Sequence, residues 1–414
     1  MKEGMKYRLT ELCGRRLGIY TGAGTSHSWL WFVDVLERMG LDNLVCIDEG
    51  DLKKGDELKK VNALLISGGD TFAIADGLGR EGAKSIEQFI SEGGVYFGSC
   101  AGAYLPLKSS KYPLNLLNLA GVKISNLSKG RPSSLTQSEK FCTPYGCHYV
   151  FHPVRDEVKI RFTNVYSSGV KEEISAPLYG GPCMEPSEDV TPIAFYHGFT
   201  EKTLFLVDEN LAEETVLGKT AVCSKAVGRG TVYLSGPHLE HPFYPEANEL
   251  LLEMLCEGFK EVEAYSGADQ EIESGVRVSR ELLKELRREL SNSRIIALAL
   301  ERESMSWLIG NKVYEPEKFR VFIEALWSRL GLFEKFSDKG VPGEDVQGLT
   351  ARACKVREKL NVLKTEIHHS SDTTELVEDI LSGLRTLAST FMNLYFRLKR
   401  REHRQEEKRN VHVL

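Results

Sequence analysis

The stretch "YFGSCAGAYL", residues 96–105, places Cys100 between two glycines directly after an apolar run. Gly98 and Gly102 flank the cysteine at Gly-x-Cys-x-Gly spacing. A cysteine that only fills a core needs no flanking glycine, whereas a nucleophile on a sharp strand-to-helix turn does. The pattern therefore predicts a strand ending near Gly98, a helix beginning near Ala101 and Cys100 on the turn between them.

The same turn predicts the chemistry of the thiol. A helix N-terminus stabilises a thiolate, and such settings lower a cysteine pKa to roughly 3.5–7.5. The backbone N–H of Ala101 is expected to point at an oxyanion, and the turn formed by Gly68 and Gly69 to supply a second donor. These residues together predict a cysteine nucleophile beside an oxyanion site.

A catalytic cysteine also needs a base, and the base needs an orienting group. The stretch "SGPHLEHP", residues 235–242, follows the strand-like "TVYL" and carries His238 and Glu240 two positions apart. This spacing predicts His238 as the base and Glu240 as the group that orients it.

Around this stretch, the first hundred residues alternate short apolar runs with helical patterns. The predicted strands are 17–20, 44–48, 63–67 and 95–98, and the predicted helices are 28–39, 72–78 and 84–91. This alternation is typical of βαβ units and predicts an α/β fold with a parallel sheet. Glycine turns follow three of these strands, so we expect them to converge at the carboxyl ends of the sheet.

The motifs resemble those of a known family. Cys100 with its glycines, His238 and Glu240 are similar to the nucleophile and dyad of class I glutamine amidotransferase domains. The strings "SGGDT", "GSCAGAYL", "YGGPC" and "GRGTVYLSGPHLEHP" most resemble the N-terminal domain of biotin-protein ligases and its stand-alone microbial forms, over about residues 15–262. The resemblance implies a flavodoxin-like, doubly wound, mostly parallel sheet and a Cys-His-Glu triad.

One position departs from the glutaminases of this class. They usually carry glutamine two residues after the second elbow glycine, where it helps to hold the substrate, and this chain has Tyr104 there. The resemblance therefore implies that Tyr104 lies beside the substrate. We therefore expect a cysteine hydrolase of a small-molecule amide or peptide, with glutamine left open. Two alternatives also stay open. One is a non-catalytic module that binds a metabolite in the same pocket. The other is a peptidase similar to peptidase E, whose group uses serine at the place of Cys100.

Three further motifs indicate no separate function. "TGAGTS", residues 21–26, lacks the full Gly-x-Gly-x-x-Gly spacing and predicts a plain strand-to-helix turn. "CTPYGCHYVFH", residues 142–152, has adjacent Cys147 and His148, which point apart on an extended chain and match no common zinc spacing. Cys183 in "YGGPC" is expected to pack. No metal and no cofactor are predicted.

Residues from about 116 to 235 read as short strands and turns, which predicts further sheet with β insertions. Apolar stripes at helical spacing then run from about residue 282 to residue 398 and predict a C-terminal all-α bundle or hairpin. We therefore expect two domains, 1–265 and 266–414.

The composition and charge limit which partners and which cellular location we expect. The chain has 414 residues, a net charge of −6 and a pI near 6.0, which argues against a nucleic-acid or anionic-membrane surface. No apolar run approaches the roughly 20 residues of a membrane span, and the N-terminus has no apolar signal core. We expect a cytoplasmic protein, with a protein partner bound through the C-terminal helices.

Overall fold

The computed structural model describes residues 12, 14–129, 149–163, 172–260, 279–337, 343–369 and 372–411. Contacts divide the chain into two units. The first comprises Met1–Leu41, Ile47–Tyr265 and Gly310–Val313, and the second comprises Asp42–Cys46, Ser266–Ile309 and Tyr314–Leu414. The domain boundary expected between residues 265 and 266 lies outside the described residues, and it stays a prediction.

An eleven-stranded sheet is formed by strands between residues 17 and 235. Its strands are β1 (Leu17–Tyr20), β2 (Leu44–Ile47), β3 (Ala63–Ile66), β4 (Val95–Ser99), β5 (Val122–Ile124), β6 (Val154–Phe162), β7 (Glu173–Leu178), β8 (Met184–Pro186), β9 (Thr191–Phe205), β10 (Thr220–Val227) and β11 (Gly230–Ser235). The helices between and after them are α1 (Trp29–Arg38), α2 (Glu49–Lys54), α3 (Thr71–Ser91), α4 (Ala101–Tyr104), α5 (Glu209–Val216) and α6 (Pro245–Gly258).

The strand order of the sheet is β2-β1-β3-β4-β11-β10-β9-β6-β7, with β8 pairing β10 and β5 pairing β8. The pairs β1–β3, β3–β4 and β4–β11 are parallel, and the strands from β11 onward to β7 pair antiparallel. The order of the first five strands is that of flavodoxin-like folds. The predicted α/β class, with a parallel sheet centre and β insertions, is confirmed.

The parallel centre of the sheet is buried on both faces, as apolar runs without alternation predict. All four residues of β3 are inaccessible to solvent, and so are Val95, Tyr96 and Phe97 of β4. The two helices expected over 72–78 and 84–91 form one element, α3, which is interrupted at Gly79. Gly79 has a φ of 59° and ψ of −167°, a conformation that glycine tolerates and that breaks the helical hydrogen bonding there.

The second unit is helical, as the apolar stripes predict. Its helices are α7 (Arg280–Leu300), α8 (Glu317–Ser337), α9 (Gly343–Glu366) and α10 (Thr374–Val411). α7 packs on α8 and α9, and α10 packs on the same two helices. The stripe on α8 that begins at Phe319 and ends at Leu330 is buried throughout. None of the helices that the structure describes is long and apolar enough to cross a membrane.

A short hairpin that the apolar stripes do not predict interrupts this helical region. Its strands are β12 (Trp307–Ile309) and β13 (Lys312–Tyr314), joined by Gly310 and Asn311. Gly310 has a φ of 61°, which two-residue hairpin turns require. The Gly-Asn pair between two short apolar runs is the local signal that indicates it.

Candidate functional site

Cys100 lies on the turn between β4 and α4, with φ 51° and ψ −110°. A left-handed backbone at a residue other than glycine is strained and persists only where the surrounding structure holds it. A Cβ built on Gly98 would overlap the carbonyl group of Gly102, and one built on Gly102 would overlap the carbonyl group of Ile66. The close approach of these chain segments therefore requires both flanking glycines.

His238 follows β11, the parallel neighbour of β4, so both residues lie beyond the carboxyl ends of adjacent strands. Ser235 at the end of β11 pairs with Ser99, and its carbonyl accepts the N–H of Cys100 at 2.9 Å. The N–H of His238 donates to the carbonyl of Pro177 at 2.8 Å. The His238 imidazole lies close enough to the Cys100 thiol for each group to shift the pKa of the other.

Glu240 completes a chain of side chains behind His238. Its Oε1 lies 2.7 Å from His238 Nδ1, which leaves Nε2 as the ring nitrogen available to the thiol. Ser67 and Ser99 each donate a hydroxyl to the same Oε1 at 2.6 Å. Glu240 is inaccessible to solvent, so three polar contacts fix a buried carboxylate against the imidazole.

Burial opposes charge at all three groups, and their mutual attraction outweighs it. Burial raises the pKa of the Cys100 thiol, but the charge and hydrogen bond of His238, with a smaller effect of Lys312, hold that pKa below its ordinary value. Burial lowers the pKa of His238, yet Glu240 and Cys100 raise it to about 9. Burial raises the pKa of Glu240, and His238 and the two serine hydroxyls bring it below its usual range. The site therefore favours a thiolate and an imidazolium.

Three other buried cysteines behave in the opposite way. Burial raises the pKa of Cys46, and it raises the pKa of Cys183 and of Cys223 to about 12. Cys183 packs in the interior, and its N–H donates to Asn126 Oδ1 at 3.0 Å. α4 has only four residues, so its dipole is small. What distinguishes Cys100 is the neighbouring His238 rather than the helix N-terminus that the sequence suggests.

Two backbone N–H groups beside Cys100 have no acceptor among the described residues. The N–H of Ser26 donates to the carbonyl of Gly68, and the N–H of Asp70 donates to the carbonyl of Gly24. These two backbone bonds lie on either side of Gly69 and do not use the N–H of Gly69 itself. Ala101 is the first residue of α4, where helical N–H groups lack intrahelical partners. Gly69 and Ala101 therefore can donate to a bound oxyanion.

The two remaining predicted residues occupy different places. The nearest atoms to a Cβ built on Gly68 include His238 Cε1 at 2.9 Å, so this glycine makes room for the imidazole. Its carbonyl accepts the N–H of Ser26. Tyr104 lines the cavity beside Cys100 and donates its hydroxyl to the carbonyl of Gly180 at 3.2 Å.

A cavity of about 990 Å³ opens beside Cys100 within the first unit. It lies at the upper end of the roughly 300–1,000 Å³ range of small-molecule sites. Gly69, Cys100, Ala101 and Tyr104 line it, and Gly68 does not. The nucleophile and both free donors thus face one space that can hold more than a single amino acid.

Of the other two motifs, "TGAGTS" packs against a helix, and the described end of residues 142–152 lines the cavity. In "TGAGTS", a Cβ on Gly24 would overlap the start of α3 at Ile74, so this turn packs closely against the helix. Cys142, Cys147 and His148 lie outside the described residues. His152 is buried, and burial lowers its pKa to about 4. No cluster suited to a metal ion occurs among the residues that the structure describes.

The model of a protein family described as "Biotin-protein ligase, N terminal" matches residues 16–294. That range covers more than half of the chain. The chain belongs to this family. No curated protein matches this chain.

Several solved structures are similar to this family member. A glutamine amidotransferase is 18% identical, with a TM-score of 0.37 over 58% of this chain and 98% of the other. A glutamine amidotransferase from Thermotoga maritima is 8% identical, with a TM-score of 0.34 over 60% and 87% of the two chains. A β-galactosidase from Bacillus circulans sp. alkalophilus is 14% identical, with a TM-score of 0.34, and the match spans 59% of this chain and 31% of that chain.

Several residues around the site are not predicted from the sequence. Ser67 directly precedes the Gly68-Gly69 turn and Ser99 directly precedes Cys100, and these positions at two strand ends are the local signal for their contact with Glu240. Asn248 on α6 is buried and donates its side-chain amide to the carbonyls of Leu239, at 2.7 Å, and His241, at 3.0 Å. It thereby holds the segment that carries the imidazole and the carboxylate.

Asn311 and Lys312 are the cavity residues farthest from Cys100 along the sequence. Both line the cavity, both belong to the first unit and both lie beyond the 16–294 range of the biotin-protein ligase N-terminal family model. Nothing in the local sequence relates them to Cys100, because only the tertiary fold brings residues 200 positions apart together.

Proposed function

We propose that this protein is a cysteine hydrolase that cleaves an amide or a related acyl bond. One observation carries the proposal: the strained Cys100 lies beside His238, whose Nδ1 is bonded to Glu240, and two serine hydroxyls hold that carboxylate. A nucleophile, a base and an orienting group in reach of one another are the parts of a catalytic triad. The motif resemblance to class I glutamine amidotransferase domains supports the same chemistry.

In the proposed reaction, Cys100 attacks the carbonyl carbon of the amide as a thiolate. The carbonyl oxygen takes the negative charge and accepts hydrogen bonds from the N–H groups of Gly69 and Ala101. As the C–N bond breaks, the His238 imidazolium gives its Nε2 proton to the leaving amine, and a thioester remains. Water then attacks the thioester while His238 takes a proton from it, which releases the acid and restores the thiolate–imidazolium pair.

Glu240 acts in this scheme through His238. Its carboxylate keeps the Nδ1 proton on the ring and stabilises the imidazolium, which loses its Nε2 proton in the first half-reaction and is restored in the second. Tyr104 stands where glutaminases carry glutamine, and its hydroxyl is engaged with Gly180. We therefore propose an amide or peptide other than glutamine as the preferred substrate.

The test is release of ammonia or amine from glutamine and from a panel of amides and peptides. Cys100→Ser and His238→Ala are each expected to lower turnover roughly 10³-fold or more, because nucleophile and base act as a unit. Glu240→Gln should lower it by roughly 10²–10⁴-fold. Cys354→Ser, at a partly exposed cysteine on α9, is the control and should leave turnover unchanged.

Two results would contradict the proposal. Turnover that survives Cys100→Ser would exclude this thiol as the nucleophile. A metabolite that binds equally to the parent protein and to Cys100→Ala, with no substrate of the panel turned over, would favour the binding module. If glutamine were hydrolysed faster than any other amide, the argument from Tyr104 for a substrate other than glutamine would fail.

A further inference from the structure

The charged residues that line the cavity are nearly all basic. Among the described residues that line it are five lysines, namely Lys108, Lys111, Lys123, Lys129 and Lys312, and a single carboxylate, Asp70. No carboxylate of the described residues pairs with Lys108 or Lys123. A pocket lined by one sign of charge attracts ligands of the opposite sign.

Asp70 does not offset this charge, because its two oxygens are already bonded. Oδ1 accepts the N–H groups of Phe72 at 2.9 Å and Ala73 at 3.3 Å, where it caps α3. Oδ2 accepts the N–H of Asn311 at 2.7 Å. Asp70 is buried, so its charge is directed into these N–H groups and away from the open cavity.

The same contact fixes Lys312, the next residue along the chain. Because Asp70 holds the N–H of Asn311, the Lys312 side chain starts from a defined point beside Cys100, and both residues line the cavity. The Lys312 charge is near enough to favour the Cys100 thiolate. Of the five lysines, this is the one whose charge acts on the nucleophile.

Part of the remaining cavity wall is apolar. Leu107, Leu114, Val122, Ile124 and Leu127 line it together with the ring of Tyr149. Lys111 Nζ lies 3.4 Å from the centre of that ring, so this cation is held along the wall. A ligand that fits has an apolar segment as well as a negative charge.

We propose that the substrate carries a carboxylate close to the scissile bond and an apolar segment beyond it, and that Lys312 is the specificity residue that binds the carboxylate. This inference rests on the proposed function and deepens it. It assigns a role in substrate choice to a segment that lies outside the range matched by the family model.

Two alkylating reagents test the role of Lys312 in the full chain. The same thiolate displaces iodide from iodoacetate and from iodoacetamide, and the reagents differ in that one carries a carboxylate and the other a neutral amide. A change in the Cys100 pKa therefore cancels in the ratio of their rates. We expect the iodoacetate-to-iodoacetamide ratio to be at least threefold higher at Cys100 than at Cys354. Lys312→Gln should remove this difference, and Lys312→Glu should invert it. Lys84→Gln, on α3 and away from the cavity, is the control.

The apolar segment is tested by protection of Cys100 from iodoacetamide. Acetate, hexanoate and decanoate are compared with the matched amides, and inorganic phosphate is a separate arm. Protection should increase with chain length, by up to about fourfold for each methylene buried, and the carboxylates should exceed the amides. Lys312→Gln should abolish the advantage of the carboxylates.

Equal ratios at Cys100 and Cys354, or equal protection by carboxylates and amides, would overturn the inference. Better protection by phosphate than by any carboxylate would overturn the choice of a carboxylate. None of these results contradicts the proposed function, which is tested separately by the loss of turnover in Cys100→Ser and His238→Ala.

Discussion

Cys100 combines a strained backbone with a side chain whose charge depends on one neighbour. The elbow fixes where the sulfur points, and the close packing at Gly98 and Gly102 holds the elbow in that conformation. His238 supplies the positive charge that burial alone would disfavour. The thiolate is thus a property of the pair and not of the turn by itself.

This contrast predicts selective alkylation. Cys354 is more exposed than Cys100, which is 8% accessible, so a reaction governed by access would label Cys354 first. We expect iodoacetamide to label Cys100 faster near neutral pH, because His238 lowers the pKa of this thiol. Peptide mapping by mass spectrometry gives the two rates. Slower labelling of Cys100 than of Cys354 or Cys256 would contradict an activated thiol.

We expect His238 to set the pH range of the proposed hydrolase activity. Its pKa is raised to about 9, so the imidazolium is present below that pH and is lost as the pH rises through it. Glu240→Gln removes the charge that favours the imidazolium, so the alkaline limb of turnover should move to lower pH by about one unit or more. Histidine NMR titration measures the same shift without a substrate.

His241 is an internal reference for that titration. Burial and the charge of His238 lower its pKa to about 4, so it should stay neutral across the alkaline range in both proteins. An alkaline limb that stays near pH 9 in Glu240→Gln would show that Glu240 does not set the His238 charge.

At the scale of elements, the site depends on how closely β4 and the turn after it approach their neighbours. Gly98→Ala and Gly102→Ala would each place a methyl group against a backbone carbonyl. We expect each to lower the free energy of unfolding by about 1–3 kcal/mol or more, because backbone cannot move aside as a flexible side chain can. Urea unfolding measures the change.

Gly198→Ala on β9 is the matched control for these two substitutions. Its added Cβ would meet Lys159 Cδ at 3.7 Å, an ordinary contact, so stability should change by less than about 0.5 kcal/mol. A Gly98→Ala protein as stable as the control would mean that the elbow relaxes, and the steric explanation of the motif would fail.

The sequence predicts the parallel half of the sheet better than the antiparallel half. Short buried strands that alternate with helices leave few possible arrangements, and β1, β3 and β4 appear where the apolar runs indicate. The order of β6, β7, β9 and β10 depends on pairings between distant residues, including register shifts along β6 and β9. Such pairings have no local signal, so the sequence indicates strands there without their order.

The site residues also fall into two groups, those that the local sequence indicates and those that it does not. Cys100, His238 and Glu240 stand in motifs whose spacing suggests their chemistry, and the parallel strands bring them together. Lys312 and Asn248 belong to segments far along the chain, and only their tertiary contacts relate them to the nucleophile. Their residue types are common on any surface, so the sequence offers no reason to select them.

For the whole molecule, the division into two units predicts that the chain unfolds in two separate transitions. Each unit has its own buried apolar residues, from Ile19 to Leu255 in the first and from Leu286 to Leu398 in the second. The two-domain organisation predicted from the sequence therefore becomes a prediction about cooperativity. A protein partner bound through the C-terminal helices also stays a prediction.

Two matched substitutions can separate the units. Phe97 on β4 and Phe333 on α8 are both fully buried, and each meets a second aromatic ring of its own unit, with centroids 5.8 Å from Phe32 and 4.8 Å from Phe391, respectively. Truncation of a buried phenylalanine to alanine costs about 3–5 kcal/mol, which corresponds to a shift in Tm on the order of 10 °C for a unit of this size.

We expect two calorimetric transitions in the full chain, with Phe97→Ala lowering one and Phe333→Ala lowering the other. Labelling of Cys100 by iodoacetamide, followed through the temperature ramp, identifies the transition of the first unit, because the lowered thiol pKa requires the folded contact with His238. A unit that unfolds by itself retains its own Tm when the substitution lies in the other unit. One transition that both substitutions lower by the same amount would show a single cooperative fold, and the two-domain description would then be wrong.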